Sequence, residues 1–411
     1  MQEVLDKIKP SKEEQVQFKK VVTQFIKQLN SKLNNAKAIL GGSGAKDTWL
    51  SGSHDIDIFV QFDYQKYKGQ SMELTLHLEK ALNKAFPKVK ISKLHGSRDY
   101  FQLTYHKYEF EIVPIIKISK SEKALNITDV STLHSVWVNK NAKNIKDDIR
   151  LVKQFCKANK IYGAESHISG FSGYILEILV AHYGSFEKLL KSSLKWKNKQ
   201  VIDPEKYYQG KDVFFNLNKS KLQSPLIIID PVDKNRNAAA ALSEERFAQF
   251  KKLAKKYLDQ PNQKFFEKQE INLEKLKKKG NLVHLELKAL IGKRDVVGVK
   301  LLKAFGFLEK ELEPFGLKFS EWDWGQKRKA DFYFVVKNKE LPEFEVRSGP
   351  PLKLKDYVKD FKKKNKNTFT KNGKIFAKIK VKHRKLSSFV KNSVNDDYFK
   401  EKVKEVVKIN V

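Results

Sequence analysis

The chain has 411 residues, 40% of them apolar, a single cysteine (Cys156) and a formal net charge of +34. The apolar content excludes a wholly disordered chain, and a lone thiol excludes an internal disulfide framework or multi-cysteine metal site; the lone thiol favours a reducing, cytoplasmic setting. No apolar run approaches the roughly 20 residues of a membrane span, so no membrane is expected, and the charged opening "MQEVLDKIKPSKEEQ" lacks a signal-peptide core. A field this positive draws in polyanions, nucleic acid foremost, although 74 of the 82 basic residues are Lys and part of the excess is lineage bias.

In chain order, residues 12–35 carry apolar positions at helical spacing. A strand is predicted at about 37–41, then Gly42-Ser43, a short helix and a second strand at about 55–62. Residues 71–86 read as a helix, followed by strands at 100–105 and 108–113, with Pro114 expected to stop the last. Two helices are predicted between Asp147 and Gly184, broken around "IYGAESHI", then a strand from Pro225 to Asp233. Ser243 is the expected N-cap of the following helix, without a full capping box. Strands and helices mix again from about 260, and no internal repeat is evident. The fold class is therefore α/β and α+β, multidomain.

The chemistry begins in "ILGGSGAKDTWLSGSHDIDIFVQF", Ile39 to Phe62. Strand alternation puts Asp55 and Asp57 on one face, and in "YEFEIVP" it puts Glu109 and Glu111 on one face. Two adjacent strands, expected to be antiparallel, would direct three or four carboxylates to one point, a hard-oxygen site suited to Mg²⁺. A pair of such ions clamps a phosphoryl group and activates an attacking oxygen. The glycine turn adds close backbone approach and free N–H groups for phosphate.

Gly42-Ser43 followed by Asp55-Ile56-Asp57 resembles the signature of DNA polymerase β-like nucleotidyltransferases. The longer run resembles the archaeal-type (class I) CCA-adding enzymes, which are tRNA nucleotidyltransferases. The resemblance extends through "DVSTLHSVWV" (129–138), the 147–186 block containing "GFSGY", "IDPVDKNRNAAAALS" (229–243), "QPNQKFF" (260–266) and "GPPLKLKDYVKDFKKK" (349–364). Two departures stand out: the family's Asp-Arg-Ser-Pro reads "DVST", leaving Val130 without the Arg charge, and a His-Pro pair reads Arg98-Asp99.

The resemblance implies a catalytic head (1–139), a mostly helical central nucleotide-selecting domain (140–258) and an α+β tRNA-binding C-terminal region (259–411). It implies addition of C, C and A to the tRNA 3′ end from CTP and ATP without a nucleic-acid template, two Mg²⁺ ions, and a homodimer. Asp55, Asp57 and Glu111 would be catalytic metal ligands; the family usually has Asp at the third position, and Glu109 could share that role. Gly42, Ser43 and Lys46 would meet the triphosphate, as His134 (read as a loop residue), Lys153 and Tyr162 would meet the nucleotide, and Arg236 would read the base. From Lys353 to Lys391 there are 15 basic and two acidic residues, and Lys362, Lys363, Lys364 and Lys366 are the candidate RNA contacts. The alternatives are another RNA nucleotidyltransferase, such as a poly(A) polymerase, and a non-catalytic RNA-binding relative.

Overall fold

The computed structural model describes residues 1–209, 212–325 and 328–411. They form two compact units, Met1–Gln269 and Glu270–Val411. In the first, α1 (Gln2–Ile8) and α2 (Lys12–Asn30) precede β1 (Ala36–Leu40), a single helical turn α3 (Gly42–Lys46) and β2 (Asp55–Phe62). Next come α4 (Tyr64–Tyr67), α5 (Leu74–Ala85), β3 (Ser92–Leu94), β4 (Tyr100–Tyr105) and β5 (Tyr108–Ile116). Helix α2 starts with a reciprocal cap: Ser11 Oγ accepts from the Glu14 N–H while Glu14 Oε2 accepts from the Ser11 N–H. Its Phe25 is fully buried, with the rings of Phe86 and Phe110 stacked at 4.6 and 4.1 Å. Truncating it to Ala is expected to cost about 3–5 kcal/mol.

The five strands run in the order β1-β2-β5-β4-β3. Two expectations are corrected here. Strands β2 and β5 pair in parallel, not antiparallel, because the intervening α5 and β3–β4 carry the chain back to the same end. The register still sets Asp55 beside Glu109 and Asp57 beside Glu111, so the shared face survives the change of direction. Pro114 does not end β5, which continues to Ile116. The Glu109 N–H donates to His54 and the Lys117 N–H to Phe62, so odd-numbered amides face β2 and Pro114 faces the β4 side. The β4 pairing has ended at Phe101–Ile112, and an edge position tolerates the missing donor.

The rest of this unit comprises α6 (Ser131–Asn141), α7 (Lys146–Ala158), α8 (Gly173–Tyr183), α9 (Phe186–Ser193), β6 (Gln200–Ile202), α10 (Val213–Asn216), β7 (Leu226–Asp230), β8 (Asp233–Asn237) and α11 (Glu244–Asp259). His134 therefore lies on a helix, not in a loop. The strand expected over 225–233 ends at Asp230, whose Oδ1 accepts from the Val232 N–H at 3.0 Å and turns the chain into β8. Ser243 caps α11 by accepting from the Arg246 N–H.

The second unit contains α12 (Leu273–Lys277), β9 (Asn281–Lys288), α13 (Arg294–Leu312), β10 (Leu317–Trp324), β11 (Lys329–Val336), β12 (Phe344–Pro351) and α14 (Lys355–Lys364). It continues with β13 (Thr368–Lys371), β14 (Lys374–Lys380), α15 (Leu386–Ser393), α16 (Asp397–Lys400) and β15 (Glu405–Asn410). One sheet is ordered β10-β11-β9-β15, and its core joins Leu301 and Phe305 of α13 to Phe332 and Phe334 of β11. The other is β12-β14-β13, with α14 against β12. No residue of α14 is buried. No described helix is long and apolar enough to cross a membrane.

Candidate active site

The Gly41-Gly42-Ser43 turn fits closely against β2. Gly42 has φ of +53°, and a Cβ there would sit 1.6 Å from Asp57 Oδ2. Only glycine meets both the backbone and the space requirement, so the turn and the carboxylate are built for each other. With only five helical residues, α3 carries a small dipole, and Ser43 and Lys46 supply most of its chemistry. A cleft of about 250 Å³ is lined by Ser43, Lys46, Thr48, Asp55, Asp57, Lys153, Lys157, Tyr162, Tyr174 and Glu177, among others. Six of the residues expected from sequence are thus brought together.

Burial pushes the Asp57 carboxyl up, Lys46 and Lys153 draw it down, and Asp55 pushes it up again. Two like charges, one starved of water, form a site that favours a cation, and Asp55 with Asp57 fits a hard divalent ion. Glu111 stands beside Asp57 in register, yet its Oε2 accepts from Gln102 Nε2 of β4 at 3.3 Å, and Glu109 accepts from Thr104 of the same strand at 2.7 Å. Among the described residues no three acidic, His or Cys side chains converge as a metal cluster.

The positive side of the cleft is organised by Glu177 of α8, which is fully buried. It accepts from Lys46 Nζ (2.6 Å), Thr48 Oγ1 (2.7 Å) and Lys153 Nζ (2.7 Å). Burial opposes its charge, but Lys153 and Lys46 outweigh that and hold the carboxyl down at about 2. Burial lowers Lys153 to about 8, against the pull of Glu177. Lys153 directs its three donors at Glu177, the Thr48 hydroxyl and the Thr48 carbonyl, whereas Lys46 donates one to Glu177 and, among the described residues, keeps two. One turn beyond Lys153, the exposed Lys157 lies 5.1 Å over the Tyr162 ring. Gly173 leaves room for that tyrosine: a Cβ would meet the hydroxyl at 2.8 Å.

His134 and Arg236 belong to a second cluster around Asp230, which is also fully buried. Asp230 Oδ2 accepts from His134 Nε2 at 3.1 Å and pairs with Arg236 Nη1, while Oδ1 accepts from the Tyr174 hydroxyl at 3.0 Å. Tyr174 joins the clusters: its ring stacks on His134 at 4.0 Å, and Lys46 Nζ lies 5.7 Å above it. Burial, aided by Arg236 and Lys46, pushes the His134 imidazole below its ordinary range, against the hydrogen bond and charge of Asp230.

Sequence reasoning missed Thr48, Lys157, Tyr174, Glu177, Asp230 and the anchor Arg150. Arg150 donates to the Trp49 and Asp47 carbonyls and to the Asp47 and Asp147 carboxylates, pinning the loop after α3 onto α7. The signal for Glu177 was available: it is an acid in the otherwise apolar "GYILEILV" helix. Arg98, one of the two departures, donates to buried Asp129 at 2.6 Å, so the carboxylate before Val130 has a guanidinium from elsewhere in the chain. In the second unit Lys362, Lys363 and Lys364 occupy the last turn of α14, with Lys366 just beyond, all exposed.

The sequence matches three family models: nucleotidyltransferase domain over residues 22–152, tRNA nucleotidyltransferase second domain over 147–267, and CCA-adding enzyme C-terminal domain over 295–410. The CCA-adding enzyme of Nanoarchaeum equitans is 36% identical, with 90% of each chain covered. That of Methanocaldococcus jannaschii is 31% identical over 96% of this chain and 90% of its own. A solved structure of Cid1, titled for its RNA terminal uridylyl transferase activity, aligns at a TM-score of 0.50 and 15% identity over 66% of this chain and 97% of that one. It shares the fold. With a carboxylate pair against a glycine turn and relatives at this identity along nearly the whole length, the chain belongs to the CCA-adding enzyme family.

Proposed function

We propose that this protein adds CCA to the 3′ end of tRNA from CTP and ATP without a nucleic-acid template. The tRNA 3′-oxygen forms a bond to the α-phosphorus, the bond to the bridging oxygen breaks, and pyrophosphate leaves. The observation that carries the reading is the Asp55–Asp57 pair against the Gly42 turn, facing the lysines that Glu177 holds. Asp55 and Asp57 would hold two Mg²⁺ ions, with Glu111 as the third carboxylate; such ions lower the pKa of the attacking hydroxyl and neutralise the triphosphate.

The chain's own residues do the positioning. Ser43 and the Gly42 backbone meet the triphosphate, and Lys46 brings its two remaining donors to it. Lys153 fixes Thr48 and Glu177, and contacts phosphate by exchanging one of its present partners. Tyr162 closes the cleft beside Gly173, while His134 and Arg236 face the base. Little covalent chemistry is asked of the protein, and rate comes from alignment and charge.

Residues 1–139 are assigned as the catalytic head, 140–258 as the nucleotide-selecting domain and 259–411 as the tRNA-binding region. The matched segments, 22–152, 147–267 and 295–410, support three parts in that order. The α14 lysines are assigned to the tRNA backbone, and the enzyme to a cytoplasmic homodimer, which sedimentation at several concentrations tests. The test of function is extension of tRNA lacking its CCA end, with CTP, ATP or both. Two residues added with CTP and a third only with ATP are expected; runs of A from ATP alone would favour a poly(A) polymerase, and no pyrophosphate release would favour a non-catalytic relative.

A further inference from the structure

We infer that Asp230 is a positioning residue for nucleotide choice: it sets the orientation and proton pattern of the groups that meet the base. The inference rests on the reading above that Arg236 and His134 face the incoming base.

Asp230 has no exposed surface, and an unpartnered buried carboxylate is costly. Here four donors share it: Arg236, His134, Tyr174 and the Val232 N–H. They come from α6, α8, β8 and the turn between β7 and β8, so one side chain ties together four separate segments. Burial works against its charge, but His134, through both its hydrogen bond and its charge, and the guanidinium of Arg236 prevail, and the carboxyl is held down at about 2.

Two consequences follow. An ionised carboxylate only accepts, so His134 carries a proton on Nε2, and in its neutral form it keeps Nδ1 as its acceptor; Asp230 fixes the tautomer. Arg236 is 29% exposed and spends Nη1 on Asp230, so its plane is fixed while other N–H groups remain for a ligand. A guanidinium on a flexible stem would satisfy many acceptor patterns, but one held in a fixed plane discriminates between base edges. Among the described residues the contact that leads from Asp230 toward the phosphate end of the cleft runs through Tyr174, so its loss should act on choice before it acts on chemistry.

The experiment compares wild type, Asp230→Asn, Arg236→Ala and the double variant in tRNA extension, taking kcat/KM separately for CTP, ATP, UTP and GTP. Asp230→Asn is expected to shrink the preference for CTP and ATP over UTP and GTP by about tenfold or more, while tRNA Kd stays within about twofold. The double variant should discriminate no worse than Arg236→Ala alone, because both changes remove one device. Unchanged ratios in Asp230→Asn, or losses that multiply in the double variant, overturn the inference. Unchanged ratios in Arg236→Ala overturn both the inference and the base-facing assignment, which separates the two failures. If Asp230→Asn does not fold, Asp230→Glu keeps the charge and moves it by one methylene. An intermediate loss of discrimination there supports the inference, and wild-type ratios overturn it.

Discussion

The cleft of the first unit and the α14 segment of the second are both rich in lysine, but they use the charge differently. In the cleft, Lys46 and Lys153 are buried, share one buried carboxylate and have fixed directions. On α14, Lys362, Lys363 and Lys364 are exposed, and none is within ion-pair distance of a described acidic residue. Charges removed from water interact strongly and demand exact partners, whereas exposed charges are screened over about 10 Å at ordinary salt. The cleft is suited to orienting reacting groups and the helix to sensing a polyanion.

The most severe test of the comparison is Asp57→Asn. Losing a charge that holds a divalent ion forfeits several kcal/mol of transition-state stabilisation, so turnover should fall by about a thousandfold or more. Binding of tRNA, measured by filter retention, should hold. Near-normal turnover would remove Asp57 from the reaction.

Next in size is Glu177→Gln, which leaves two buried ammonium groups without their counter-charge and should cost about 3–5 kcal/mol of stability in urea unfolding. Its pH signature is specific. The folded carboxyl, at about 2, lies below its ordinary 4.5, so its stabilisation is complete above pH 4.5 and is lost as pH falls through 2. Wild type should show that acid-side loss, and the variant should lack it. Identical pH profiles would mean the lysines do not depend on Glu177.

Glu111 gives a smaller, sharper contrast. Glu111→Gln should lower kcat by about ten- to a hundredfold, whereas Glu111→Asp keeps the charge and should stay active. A fully active Gln variant would pass the third-carboxylate role to Glu109. Smallest per residue is α14. Replacing Lys362, Lys363, Lys364 and Lys366 with Gln should weaken tRNA binding through KM and flatten the dependence of log K on log salt by up to about 0.9 per lost contact. An unchanged salt slope would place the RNA surface elsewhere, and a flattened slope in the Glu177 variant would erase the distinction between the two regions.

How much of this was legible in the sequence depended on whether the signal was local. Period-two alternation placed Asp55 and Asp57 on one face of a strand that spans residues 55–62 as expected, and a serine preceding an apolar-periodic run placed the cap at Ser243. Both are fixed by neighbours a few residues away. The direction of β5 against β2 was not, because pairing sense depends on the intervening crossover. The persistence of β5 through Pro114 depends on where β4 stops. Glu177 and Asp230 were read past for the same reason. A carboxylate in an apolar helix, or at the end of an apolar strand, acquires meaning only from its partners. Those partners lie 24 to 131 positions away for Glu177, and as far as 96 for Asp230. The sequence by itself determined which residues carry charge and on which face of each element they sit. The tertiary structure alone decided which charges meet, because burial makes a carboxylate costly until the fold brings donors to it.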